Sequence, residues 1–175
     1  EAAIEHYQKS VELKPNYARA YNNLGYAWEK KGNLSKASTY YQQAIKINPN
    51  HAEAWSNLGK ILLKQGQIEL AVEYFQKSLE LNPDYIEAYY SLGCIFLNLG
   101  KLAESQIYYE KAIKLDNNHV NSYFGLASVL LKKGDFIAGF SEYEWPHKHE
   151  DCIKRNFSQS LWDGSNFSGK TLLVY

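Results

Sequence analysis

Two stretches near the C-terminal end hold residue types that do chemistry. Gly164-Ser165-Asn166-Phe167-Ser168-Gly169-Lys170-Thr171 spells G-x-x-x-x-G-K-T, the pattern in which backbone amides and a lysine cradle phosphates. That chemistry needs a strand before the loop and a helix after it whose N-terminal amides face the anion. Here a polar segment precedes and an apolar, strand-like run, Thr171 to Tyr175, follows, so the pattern lacks its context. His147, His149 and Cys152 are zinc-ligand types, with Glu144, Glu150 or Asp151 available as a fourth. Their spacing matches no closed tetrahedral site and reads as a polar linker. Elsewhere no serine or cysteine carries a local motif joining a nucleophile to a base. The acidic residues share helix faces with lysines, as in solvated helices. No catalytic residue, no metal and no cofactor is expected of this chain.

What organises the rest is a spacing of 34. Pro15, Pro49 and Pro83 keep it, with Asn117 where the next proline would fall. Gly32, Gly66, Gly100 and Gly134 keep it, as do Leu24, Leu58, Leu92 and Leu126, and Tyr7, Tyr41, Phe75, Tyr109 and Tyr143. A fixed period in this range marks a solenoid, whose units bury their apolar faces only by stacking on one another.

Within residues 18–51, Tyr21, Leu24, Ala27 and Trp28 recur at helical spacing up to Gly32-Asn33, where a C-terminal glycine ends a helix. A second helix runs from about Ser35 to Ile47, and Asn48-Pro49-Asn50 closes the unit because proline cannot continue a helix interior. The array is read as a half unit at 1–17, full units at 18–51, 52–85 and 86–119, and a degenerate unit at 120–145. In the last, Ala127 replaces a glycine, Gly139 an alanine, and Pro146 stops the second helix early. Ser78 and Ser105 also replace alanines. Residues 146–175 are expected to be a linker and the start of a truncated downstream domain. The chain has no methionine, starts inside a helical pattern and stops inside an apolar run, and reads as a piece of a longer protein.

Nineteen basic and nineteen acidic residues give a formal net charge of zero, which offers no general attraction for nucleic acid or an anionic membrane. No run approaches the roughly 18 apolar residues of a membrane span. Cys94 and Cys152 have no metal or redox spacing, and a reduced, cytoplasmic setting is the expectation.

These features resemble the tetratricopeptide repeat, with Trp/Tyr, then Leu-Gly, then Tyr, Ala, Phe/Tyr, Ala and Pro at the family's offsets, over residues 1 to about 145. The resemblance implies an all-α fold: helix-turn-helix units stacked into a right-handed superhelix with a concave groove, followed by an irregular tail that ends in a short strand. It also implies function through a surface, a protein or peptide held in the groove.

The first helix of each unit turns one face to that groove, at spacing i, i+3/i+4, i+7, i+11. In the first unit the face holds Arg19, Asn22, Asn23, Tyr26 and Lys30. The second holds Glu53, Ser56, Asn57, Lys60 and Lys64. The third holds Glu87, Tyr90, Ser91, Cys94 and Asn98, and the fourth Asn121, Phe124, Ser128 and Lys132. Asn23 and Asn57 offer donors and an acceptor to the backbone of an extended peptide. Tyr26 and Tyr90 offer amphipathic contact area, and Lys60 and Lys64 offer charge to carboxylates. Some repeats of this family carry a basic clamp for the C-terminal carboxylate of chaperones. Glu87 and Ser91 stand where it would need basic residues, so that ligand is not expected.

A second resemblance lies at the C-terminal end. Gly134-Asp135-Phe136, Gly139-Phe140, Tyr143-Glu144-Trp145, Leu161-Trp162-Asp163-Gly164 and Gly169 to Tyr175 look like the junction in bacterial tetratricopeptide proteins that continue into a glycosyltransferase-like α/β domain. It implies a different role, the non-catalytic, substrate-presenting arm of an enzyme, and makes the apparent phosphate loop the turn into that domain's first strand. Self-association through the array ends or the apolar run 171–175 is a third expectation.

Overall fold

The computed structural model describes residues 2–144. The expected linker, the His147/His149/Cys152 group, the phosphate-loop pattern and the terminal strand lie outside the described residues. Among those described, all regular structure is helical, in nine helices: α1 (Ala2–Leu13), α2 (Ala18–Lys30), α3 (Leu34–Ile47), α4 (Ala52–Lys64), α5 (Ile68–Leu81), α6 (Ile86–Asn98), α7 (Leu102–Leu115), α8 (Val120–Lys133) and α9 (Phe136–Glu144).

The helices end where local chemistry forces them to. Gly32, Gly66, Gly100 and Gly134 have φ between +73° and +85°, the left-handed turn that glycine enters at least cost. The opposite connection is set by a side chain. Oδ1 of Asn48, Asn82 and Asp116 accepts from the backbone N–H two residues on, in Asn50, Asp84 and Asn118. This side-chain turn explains why Asn117 stands in for proline: Asp116 forms the turn in either case.

Packing follows the period. Ala37, Tyr41, Leu58, Ala71, Phe75 and Leu92 are buried in one continuous cluster, and Tyr109, Leu126 and Val129 in a second. The α2–α3, α4–α5 and α6–α7 hairpins close on a large ring laid against a glycine. A Cβ on Gly93 would stand 2.7 Å from the Tyr109 ring, and one on Gly25 2.7 Å from that of Tyr41. The replaced alanines behave differently from each other. The Ser105 hydroxyl donates to the Gly93 carbonyl at 2.8 Å, whereas the buried Ser78 hydroxyl has no partner.

The first helices α2, α4, α6 and α8 touch in succession, while among the described residues the second helices α3, α5, α7 and α9 do not touch one another. A layer whose members touch is shorter than one whose members are splayed. The stack therefore curves with the first helices inside, and their free faces pave the concave surface.

Candidate functional site: the inner helical face

On α2 the groove face is open at its ends and closed in the middle. Arg19 and Lys30 are exposed and Asn23 is half-buried. Tyr26 is 50% exposed, with the Lys30 ammonium 5.1 Å from its ring. Asn22 is only 1% exposed.

The reason lies on α4. Asn57 Nδ2 donates to Asn22 Oδ1 at 3.1 Å, and Asn57 is itself 7% exposed. Asn57, expected to meet a peptide backbone, meets a neighbouring repeat instead. The two lysines expected to meet a partner's carboxylates already meet the chain's own. Lys60 Nζ lies 3.1 Å from Glu87 on α6, and Lys64 Nζ lies 2.6 Å from Glu29 on α2. Ser56 is fully buried, and Glu53 is exposed at the start of α4.

On α6 and α8 the face is tied down further. His119, just before α8, places Nε2 3.6 Å from Glu87, and its ring packs edge-on against Tyr90. Cys94 accepts a hydrogen bond from the Tyr109 hydroxyl at 3.3 Å. Burial, with the Cys94 thiol next in effect, pushes the Tyr90 hydroxyl up to about 12. Ser91 is buried and donates to the Glu87 carbonyl, and Ser128 donates to that of Phe124. Phe124 packs on Tyr143. Asn98, Asn121 and Lys132 are exposed.

Sequence reasoning missed Glu29, His51 and His119. The Glu29 carboxylate takes Lys64 on one oxygen and the Tyr41 hydroxyl on the other at 2.9 Å. Burial first, then this carboxylate, raises the Tyr41 hydroxyl above its ordinary value. His51, before α4, is held below its ordinary value chiefly by burial, against the pull of Glu53. A signal existed: Asn22–Asn57 and Glu29–Lys64 are both separated by 35, one repeat plus one residue.

One trio has the composition of a nucleophilic site. His119 Nδ1 lies 2.7 Å from Ser122 Oγ, with Glu87 beyond the other ring nitrogen. Ser122 is fully buried, so no substrate reaches its oxygen, and the trio braces α6 against α8. Among the described residues no three His, Cys, Asp or Glu side chains form a metal-binding cluster. Nor is any helix there long and apolar enough to cross a membrane.

Profiles of the tetratricopeptide repeat match residues 52–85, 86–119 and 108–138, and a TPR repeat profile matches 1–32 and 29–66. No curated protein matches the chain. Among solved structures it is similar to a crystal structure of MamA, with a TM-score of 0.69 and 23% identity over 83% of this chain and 90% of that one. It is also similar to pilF of Pseudomonas aeruginosa, with a TM-score of 0.74 and 22% identity over 81% of this chain and 65% of that one. A third likeness is to YrrB, described as a TPR protein with an unusual peptide-binding site, with a TM-score of 0.64 and 23% identity over 83% and 75%. At these identities the likeness establishes the fold.

Proposed function

The chain belongs to the tetratricopeptide repeat family, and from that premise we propose that it is an interaction module holding a peptide or a segment of a protein partner against the inner faces of α2, α4, α6 and α8. The observation that carries this reading is Tyr26. A large aromatic side chain lies half open on the concave face, with the Lys30 ammonium 5.1 Å from its ring, while the tyrosines at the stacking positions Tyr41 and Tyr109 are buried. Exposed rings flanked by polar groups are characteristic of surfaces that bury themselves in a partner. The peptide-binding site of YrrB, a neighbour of the same fold, supports a peptide as ligand.

Partners captured from a lysate or a displayed peptide library provide the test, with wild-type protein set against Asn23→Ala and Tyr26→Ala. Both side chains are at least partly accessible and unneeded by the core, so loss of binding at unchanged stability supports the groove. Undiminished binding by both variants would place the contact elsewhere. Asn57 and Tyr90 serve this purpose less well, because changing them disturbs contacts between repeats.

A further inference from the structure

The first three hairpins each hold an aromatic pair outside the groove face. Tyr21 meets Tyr40, Trp55 meets Tyr74 and Tyr89 meets Tyr108, with ring centroids 6.5, 5.0 and 6.3 Å apart. Each pair joins a first helix to the second helix of its own unit, and the pairs keep the 34-residue spacing. The α8–α9 hairpin keeps the first partner, Tyr123, but has Glu142 where the second ring would stand. A cavity of about 380 Å³ lies at that seat. Glu110, Ile113 and Lys114 of α7 form one wall, Glu142 of α9 the other, and Tyr123 and Leu126 of α8 the floor. Since α7 and α9 do not touch among the described residues, the cavity opens between them on the outer side of the stack. Its lining carries two carboxylates against one ammonium. Burial raises the Tyr123 hydroxyl above its ordinary value, and Glu142 and then Asp116, at the end of α7, raise it further. The field over that ring therefore favours a cation.

We propose that this vacated aromatic seat takes an arginine side chain presented by a protein partner. The stem lies on Ile113 and Leu126, the guanidinium stacks on the Tyr123 ring, and its N–H groups donate to the Glu142 carboxylate. A planar guanidinium fills the slot of a lost ring, lies flat on an aromatic face and pairs bidentately with a carboxylate. A lysine ammonium offers only a point charge there, whereas the aliphatic stem of either residue suits the apolar part of the lining. The terminal unit of any solenoid needs a polar outer face, but that need does not account for Glu142. Its side chain faces back toward α7, while Phe136 and Ile137 on the same helix are the exposed residues. The seat lies off the inner helical face and stands independently of the groove reading.

The test titrates isotope-labelled protein with acetyl-Gly-Arg-Gly-amide and with its citrulline counterpart, which keeps the shape and lacks the charge. Amide shifts in the NMR spectrum locate the contact and give both affinities. The arginine peptide is expected to shift residues 110–114, 123–126 and 142, and to bind roughly fivefold more tightly than the citrulline peptide. Added salt is expected to narrow that preference. Glu142→Gln is expected to bring the two peptides within about twofold of each other. Glu142→Tyr refills the seat with the ring that the other units carry, and is expected to abolish the shifts and raise the melting temperature. Should that variant fail to fold, Glu142→Gln still decides. Equal affinity for the two peptides, shifts confined to the inner faces of α2 and α4, or full arginine binding by Glu142→Tyr would overturn the proposal, as would no shift at all.

Discussion

The Asn57 amide donates to the Asn22 carbonyl oxygen across the seam between two consecutive repeats, 3.1 Å apart and shut away from solvent. A buried amide pair of this kind fixes the offset of one unit on the next, because sliding either helix leaves polar atoms unmet in an apolar setting.

Asn57→Ala is therefore expected to destabilise the protein by about 1–3 kcal/mol, since it strips Asn22 of its remaining partner. Urea midpoints for Asn22→Ala, Asn57→Ala and the double variant check this. The double variant is expected to lose less than the sum of the singles, and strict additivity would mean the pair is not coupled.

The two kinds of glycine predict different costs. Gly93→Ala drives a Cβ to 2.7 Å from the Tyr109 ring, and overpacking of a filled core costs about 1–3 kcal/mol. Gly66→Ala meets nothing within 4 Å, but its φ is +77°, so only the left-handed backbone penalty of about 1–2 kcal/mol applies. A following enlargement of space, Tyr109→Leu, is expected to relieve Gly93→Ala and leave Gly66→Ala unchanged, as read by thermal melts.

Ser78→Ala is expected to raise stability by up to about 1 kcal/mol. Its hydroxyl is buried without a partner, and the equivalent positions in the neighbouring units are Ala44 and Ala112, so alanine removes an unmet polar group without opening new space. Ser105→Ala is expected to act in the opposite direction, because Ser105 donates to the Gly93 carbonyl. A lower melting temperature for Ser78→Ala would overturn the assignment.

Alkaline pH is expected to unfold the array through its tyrosines. Burial raises Tyr85 from an ordinary value of 10.0 to about 12, with Glu53 and Glu87 adding to the effect, and Tyr90 is likewise raised to about 12. A raised folded-state value means the folded protein holds the proton more tightly. That stability is fully present below about pH 10 and is lost as pH climbs from there toward 12. Phenolate absorbance and circular dichroism followed together check this. Tyr85 and Tyr90 ionising near pH 10 with helicity intact would contradict it.

The array was legible in the sequence because its stabilising contacts repeat with its residues. Leu24, Tyr41 and their counterparts 34 and 68 positions on mark the interior directly, since a residue that packs on its own unit and the next needs the same type in the same place each time. The inner-face residues were legible as a row but not as individuals. Tyr26 and Lys64 look alike in a helical projection, yet one is open and the other is held by Glu29.

The side-chain turns of Asn48, Asn82 and Asp116 emerged from the structure, at connections expected to be closed by proline. What the sequence alone determined is thus the repeat, the glycine turns that end its first helices, and the face each first helix turns inward. These follow from local backbone preferences and from a 34-residue pattern of apolar packing. Which polar side chains on that face are left for a partner was decided by the tertiary structure. Stacking sets residue i of one first helix beside i+35 of the next, and only that offset brings Asn57 to Asn22 and Lys64 to Glu29 while leaving Tyr26 and Lys30 open.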